Sequence, residues 1–205
     1  MIKDLTSGKP LPLIISFAMP TMLGLLFQQL YNAVDMIIVG KYLGVNSVAA
    51  VGATSSLYFL IIGFCNGNCT GFAIPVAQRF GAKDYSEMRR FIGASILISS
   101  CFAIVMTITT AVFTRPILVL MQTPSEILDE SVSYIRVIFL GLPAYFLYNM
   151  LSGILRSVGD SKTPVYFLIF SSLLNIALDL LFIIQLNMGV VGASLATVVS
   201  LLTAG

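Results

Sequence analysis

Residues 13–34, LIISFAMPTMLGLLFQQLYNAV, carry no charged side chain, and Asp35 follows at once. An α-helix needs about 20 predominantly apolar residues to cross a bilayer. The run predicts a membrane helix over 11–39 with a carboxylate inside it. Outward from this stretch the pattern repeats. Residues 42–78, 91–114 and 137–155 are uncharged, and 163–178 continues past Asp179 into a charge-free run to the end. Gly40-Lys41-Tyr42-Leu43-Gly44 and Gln185-Leu186-Asn187-Met188-Gly189 read as tight turns. The expectation is an all-α integral membrane bundle of six helices, roughly 11–39, 47–76, 90–114, 132–156, 164–186 and 189–205.

Composition excludes other classes. Of 205 residues, 58% are hydrophobic and 10% charged, against about 25% charged in a soluble domain. Mean hydropathy is +0.98. The net charge of +2 is too small and scattered for nucleic-acid binding. There is no histidine, the commonest catalytic base. Cys65, Cys69 and Cys101 lie in apolar stretches, which argues against a disulfide framework or a zinc cluster. Nothing points to an enzyme, a cofactor or a metal centre.

Lys3, Lys9, Arg79, Lys83, Arg89, Arg90, Arg156 and Lys162 fall on one side of the expected bundle, and Lys41, Arg115 and Arg136 on the other. By the positive-inside rule the N-terminus is cytoplasmic. Glu126, Asp129 and Glu130 then lie in an outer loop. Residues 156–164 form a cytoplasmic loop expected to be structural, with Gly159-Asp160 turning the chain and Pro164 in the first turn of the next helix. The last run, 189–205, ends without a polar stop, so a truncated chain with more protein downstream is expected.

Polar residues inside membrane spans are costly, about 2.5–3.5 kcal/mol for a mid-membrane carboxylate. Asp35 and Asp179 are two such residues, without Lys or Arg within a helical turn. At 1.5 Å per residue both sit about 8–10 Å below the outer surface. An interfacial, helix-capping role is the plainer alternative. Gln28, Tyr31 and Asn32 share the helix face of Asp35, Asn175 that of Asp179, and Thr197 follows on the next helix. Such amides and hydroxyls offer oxygens to a proton-bearing carboxylate or to sodium, or else act as inter-helix glue. Both aspartates precede a Gly-Val pair, Gly44-Val45 and Gly189-Val190, a slight internal repeat of the kind found in transporters. Pro20 is expected to kink the first helix, and Pro75 and Pro143 interrupt the second and fourth. Cys65-Asn66-Gly67-Asn68-Cys69 reads as small-residue packing at a polar lumen edge, which Tyr145, Tyr148 and Asn149 are candidates to line.

Several motifs now fall into register. Leu5-Thr6-Ser7-Gly8-Lys9-Pro10, Phe17-Ala18-Met19-Pro20 and Phe27-Gln28-Gln29-Leu30-Tyr31-Asn32-Ala33-Val34-Asp35 resemble the first helix of the multidrug and toxic compound extrusion (MATE) family. Val39-Gly40, Gly44 and Ser47-Val48-Ala49-Ala50-Val51-Gly52 resemble its turn into the second helix, and Gln78-Arg79-Phe80-Gly81-Ala82 its next loop. Leu155-Arg156-Ser157-Val158-Gly159-Asp160-Ser161-Lys162-Thr163-Pro164 resembles the loop before the fifth helix. The stretches 174–183 and 192–197 resemble the fifth and sixth helices. The resemblance implies one six-helix lobe of a twelve-helix fold in a bacterial-type cell membrane. It implies an antiporter exporting small organic, often cationic, compounds in exchange for protons or sodium. The cation site it implies is Asp35, Asn175, Asp179 and Thr197, with Pro20 as the responsive bend. The missing second lobe, or a second copy, would complete the cleft. The competing functions are a lipid-linked sugar flippase, disfavoured by the lack of basic residues mid-span, and a non-transporting membrane fragment.

Overall fold

The computed structural model describes residues 10–204. Lys3, Lys9, the 5–9 part of the first motif and Gly205 lie outside the described residues. Helix α1 spans Pro10–Leu43, α2 Val45–Gly81 and α3 Tyr85–Leu120; α4 spans Ser125–Leu140 and α5 Leu142–Ser157; α6 spans Thr163–Asp179, a π-helical turn Leu180–Gln185, and α7 Val190–Ala204. The described chain is an all-helical bundle of apolar helices.

The expected count of six spans is not reproduced. Four helices are long and apolar enough to cross a membrane, or five if α4 and α5 together make one bent span. Helix α7, Val190–Ala204, has 15 residues and is shorter than a membrane crossing requires. The fourth expected helix, 132–156, is broken: α4 and α5 meet at Gly141 with a 46° bend. Pro143 in the first turn of α5 has no N–H to return to the α4 carbonyls, and Gly141 offers no side chain to bridge the gap. The fifth expected helix, 164–186, changes character at Asp179. There the hydrogen bonding lengthens by one residue, as in Leu186 N to Leu181 O at 3.1 Å.

The helices also run longer than the uncharged stretches imply. Helix α1 reaches Leu43, so the first expected turn contracts to the single residue Gly44, at φ 93°. That left-handed conformation suits glycine. Helix α1 continues through Pro20, and α2 through Pro75. Among the prolines inside the expected spans, only Pro143 sits at a break.

Packing sorts the elements into two groups. Helices α2, α3, α4 and α5 enclose the main apolar cluster, which includes Leu118, Ile135, Phe139, Leu142 and Phe146, all buried. Helices α1, α6 and α7 pack together beside it, and Ile38 and Val39 of α1, Val51 of α2, Ile183 of the π-helical turn and Ala193 of α7 form a second buried cluster. Helix α1 is the least covered, and Leu11, Ile14, Leu26 and Leu30 are exposed. In water this would be an unfavourable surface, but it suits lipid or another apolar protein face.

Candidate functional site

Two carboxylates meet where the two groups of helices join. Asp35 lies in the last third of α1 and Asp179 is the last residue of α6; their carboxyl groups lie within hydrogen-bonding range of each other. Asp179 is 0% exposed and Asn175, one turn earlier, 1%. Asn175 Nδ2 donates to Thr197 Oγ1 across the α6–α7 contact at 3.4 Å. Thr197 Oγ1 in turn donates to the Ala193 carbonyl at 3.1 Å. Asp35, Asn175, Asp179 and Thr197, far apart in the chain, thus form one group.

The group is short of donors. Asp35 Oδ1, both Asp179 carboxylate oxygens and Asn175 Oδ1 are buried without a hydrogen-bond partner. Two carboxylates side by side can only accept, so neither relieves the other unless a proton lies between them. Buried polar atoms are nearly always paired in folded proteins. Four orphaned oxygens in one place fit a bound proton together with a small hard cation, or either alone, since sodium and its kind are held by carboxylate, amide and hydroxyl oxygens. The ion pairs among the described residues, Arg79–Asp84, Arg90–Glu87 and Arg115–Asp129, lie near helix ends and do not reach this group.

Tyrosines surround the pair. The phenols of Tyr31, Tyr58 and Tyr134 lie within electrostatic reach of Asp35, and Tyr134 also of Asp179. Tyr31 shares a hydrogen bond with Gln28. Sequence reading missed Tyr58 and Tyr134, because they stand on α2 and α4 and have no periodic relation to either aspartate. Asn32, expected on the face of Asp35, is exposed and donates instead to Gln29 Oε1 at 3.3 Å.

The remaining lumen candidates belong to a separate place. A cavity of about 480 Å³ lies between α1, α2, α5 and the start of α6, and Gln28, Asn66, Tyr145, Tyr148 and Asn149 line it. Neither aspartate does, so the paired carboxylates and this cavity are separate places among the described residues. Asn149 Nδ2 is used locally, donating to the Tyr145 carbonyl at 2.9 Å. Arg156, Ser157, Ser161 and Pro164 also line the cavity. The 156–164 loop, read from sequence as purely structural, therefore forms part of its wall. Asp160 in that loop accepts from the Thr163 and Lys162 backbone at 3.0 and 3.1 Å and from the Thr163 hydroxyl at 2.7 Å. These hydrogen bonds, Thr163's first, hold its carboxyl below the usual carboxylate range.

A bundle of apolar helices with a donor-poor carboxylate pair at its heart defines a polytopic membrane protein of the transporter class. The chain belongs to the MatE family, whose match covers residues 20–181. That family comprises transporters, not enzymes. The probable multidrug resistance protein YoeA of Bacillus subtilis is 36% identical over 188 residues, covering 90% of this chain and 41% of YoeA. YpnP of the same organism, also a probable multidrug resistance protein, is 30% identical over 197 residues, covering 96% of this chain and 44% of YpnP. The multidrug export protein MepA of Staphylococcus aureus is 26% identical, covering 90% of this chain and 41% of MepA. Among solved structures, an outward-facing multidrug resistance MATE transporter of the MOP superfamily superimposes with a TM-score of 0.91 at 32% identity, covering 98% of this chain and 44% of that one. A MOP superfamily transporter from Pyrococcus furiosus matches with the same TM-score, identity and coverage. The chain thus spans less than half the length of these relatives.

Proposed function

We propose that this chain forms the N-terminal lobe, residues 1–205, of a cation-coupled antiporter that exports organic, cationic and amphipathic compounds from the cell. The lobe lies in the plasma membrane with its N-terminus in the cytoplasm, surrounded by lipid. It faces a second six-helix half, or a second copy of itself, across the transport cleft. On this reading α4 and α5 count as one bent span and α7 as the outer part of a sixth.

The observation that carries the reading is the set of four orphaned buried oxygens on Asp35, Asp179 and Asn175. Fully ionised, the pair carries about two negative charges in a poorly hydrated place. Self-repulsion and desolvation make it a strong acceptor for one cation. Arrival of a proton or sodium ion removes one of those charges and lets α1 repack against α6. Pro20, inside α1 and without an N–H to donate, is the point at which the helix yields. A cationic compound then loses its counter-charge and is released outward. Coupling requires ion and cargo to prefer different states, since a ligand with equal affinity for both shifts nothing. Resemblance to relatives called multidrug resistance and export proteins supports the cargo class.

The test is efflux of a fluorescent organic cation from inverted vesicles holding the intact protein, under an imposed proton or sodium gradient. Asp35→Asn and Asp179→Asn should each abolish gradient-driven efflux while leaving membrane insertion unchanged. Wild-type coupling in the double variant would refute the mechanism.

A further inference from the structure

Arg156 carries the only charge among the described residues lining the 480 Å³ cavity. Its Nε donates to the Ser152 carbonyl at 3.1 Å, and no carboxylate among the described residues pairs with the guanidinium. Asp160, close in sequence, is turned to the backbone of Lys162 and Thr163. Among the described residues, no side chain or carbonyl accepts from the Nη groups of Arg156. Ser161, only 7% exposed, shares the cavity wall and makes no hydrogen bond to another described residue. A hydroxyl that lines a cavity without a protein partner is open to a ligand atom or to solvent.

The rest of the wall is uncharged, with the amides and hydroxyls of Gln28, Asn66, Thr70 and Asn149 set among apolar side chains. Phe17, Leu25, Ile74, Val165 and Leu168 line the cavity, and Leu25 and Ile74 are 58% and 54% exposed, so it opens on the apolar outer surface between α1 and α2. A cationic guest would meet the like charge of Arg156 with no carboxylate to offset it. A guest with an anionic head and an apolar tail matches both ends. The planar guanidinium fork suits a phosphate better than a point charge does, because two N–H groups bond two oxygens in parallel.

We propose that this cavity binds the phosphate head of an anionic amphiphile, with Arg156 Nη groups and Ser161 Oγ on the phosphate oxygens and the tail leaving over Leu25 and Ile74. The site is distinct from the carboxylate pair and does not depend on ion coupling, so the two stand or fall separately.

The experiment uses the intact protein in a neutral maltoside detergent. Native mass spectrometry and thermal unfolding are recorded with dihexanoyl phosphatidylglycerol, with inorganic phosphate, and with a neutral short-chain diacylglycerol. The phosphatidylglycerol should be retained and raise the unfolding midpoint. Arg156→Gln should weaken retention at least tenfold and Ser161→Ala by a few fold. Arg156→Lys should keep part of the affinity, and Arg90→Gln, which removes the same charge at an exposed site on α3, should change nothing. Inorganic phosphate that displaces the lipid at equal concentration would assign the site to a free phosphate-bearing solute and uphold the guanidinium–phosphate contact. Equal retention of the neutral diacylglycerol would overturn the proposal, as would unchanged binding in Arg156→Gln. If that variant fails to fold, unchanged binding in both Ser161→Ala and Arg156→Lys would do the same.

Discussion

At Asp179 a carboxyl group is 0% exposed and neither oxygen has a donor. Leaving a buried charge uncompensated is strongly destabilising, and an amide of the same shape carries no such charge. Asp179→Asn should therefore raise the unfolding midpoint in sodium-free detergent at neutral pH while stopping coupled efflux. A function held at the expense of stability behaves in this way. A lowered midpoint would mean that the carboxylate is satisfied by something other than a bound cation. Thr197 is the subtler member of the group. Its hydroxyl accepts from Asn175 and donates to Ala193, so it orients the amide whose Oδ1 is orphaned. Thr197→Val keeps the volume and removes that link. Outer partners of this kind typically tune ion affinity 10–100-fold. The half-saturating ion concentration for efflux should rise by about tenfold, with maximal rate little changed.

Among the elements, the α4–α5 break is the most constrained. A Cβ added at Gly141 would overlap Val198 Cγ2 and come within 2.9 Å of its Cγ1 and 3.1 Å of its Cβ. Val198 follows Thr197 on α7, so the bend rests on the helix that also carries the oxygen site. Overpacking of this sort costs about 1–3 kcal/mol. Gly141→Ala should lower thermal stability by that much, and Val198→Ala added to it should recover most of the loss. Strict additivity in the double-mutant cycle would show that the two residues do not touch. The loop before α6 offers a second test. Asp160 is ionised in the fold at a lower pH than in the unfolded chain, because the Thr163 and Lys162 groups donate to its charged form. Its stabilisation is therefore complete above the ordinary carboxylate value of about 3.9. It fades as pH falls through the depressed folded value. Asp160→Ala should cost about 1 kcal/mol near neutrality, the usual worth of a capping side chain. Midpoints of wild type and variant should converge in strong acid. A constant gap at all pH values would assign the loss to packing.

On the scale of the whole molecule, orientation and completeness decide function. On the proposed topology, a single cysteine at position 160 in a cysteine-free background should resist membrane-impermeant thiol reagents in intact cells and react in inverted vesicles. The reverse pattern would invert the topology and with it the direction of coupling. Much of this architecture was legible in the residues. Uncharged runs of membrane length placed α1, α2, α3 and α6, because an apolar stretch has no other stable home. Asp35 and Asp179 stood out because carboxylates are costly there, and the helical spacing of Asn175 to Asp179 showed which amide accompanied them. Asn32 has the same kind of spacing and yet is exposed. A shared face is a statement about one helix, and only the neighbouring helices decide whether that face is covered.

The sequence by itself determined that this is an all-helical membrane protein of a transporter family, with two carboxylates in its interior, since hydropathy and local spacing are properties of the chain. The tertiary structure alone decided the rest. It set Asp35 against Asp179 and ringed them with Tyr58 and Tyr134 from other helices. It broke the fourth span at Gly141 against Val198 and lengthened the turn after Asp179. It also placed Arg156 and Ser161 in the wall of a cavity separate from the carboxylate pair. These features depend on which atoms from distant segments come within a few ångströms, and packing between helices, not periodicity within one, sets those distances.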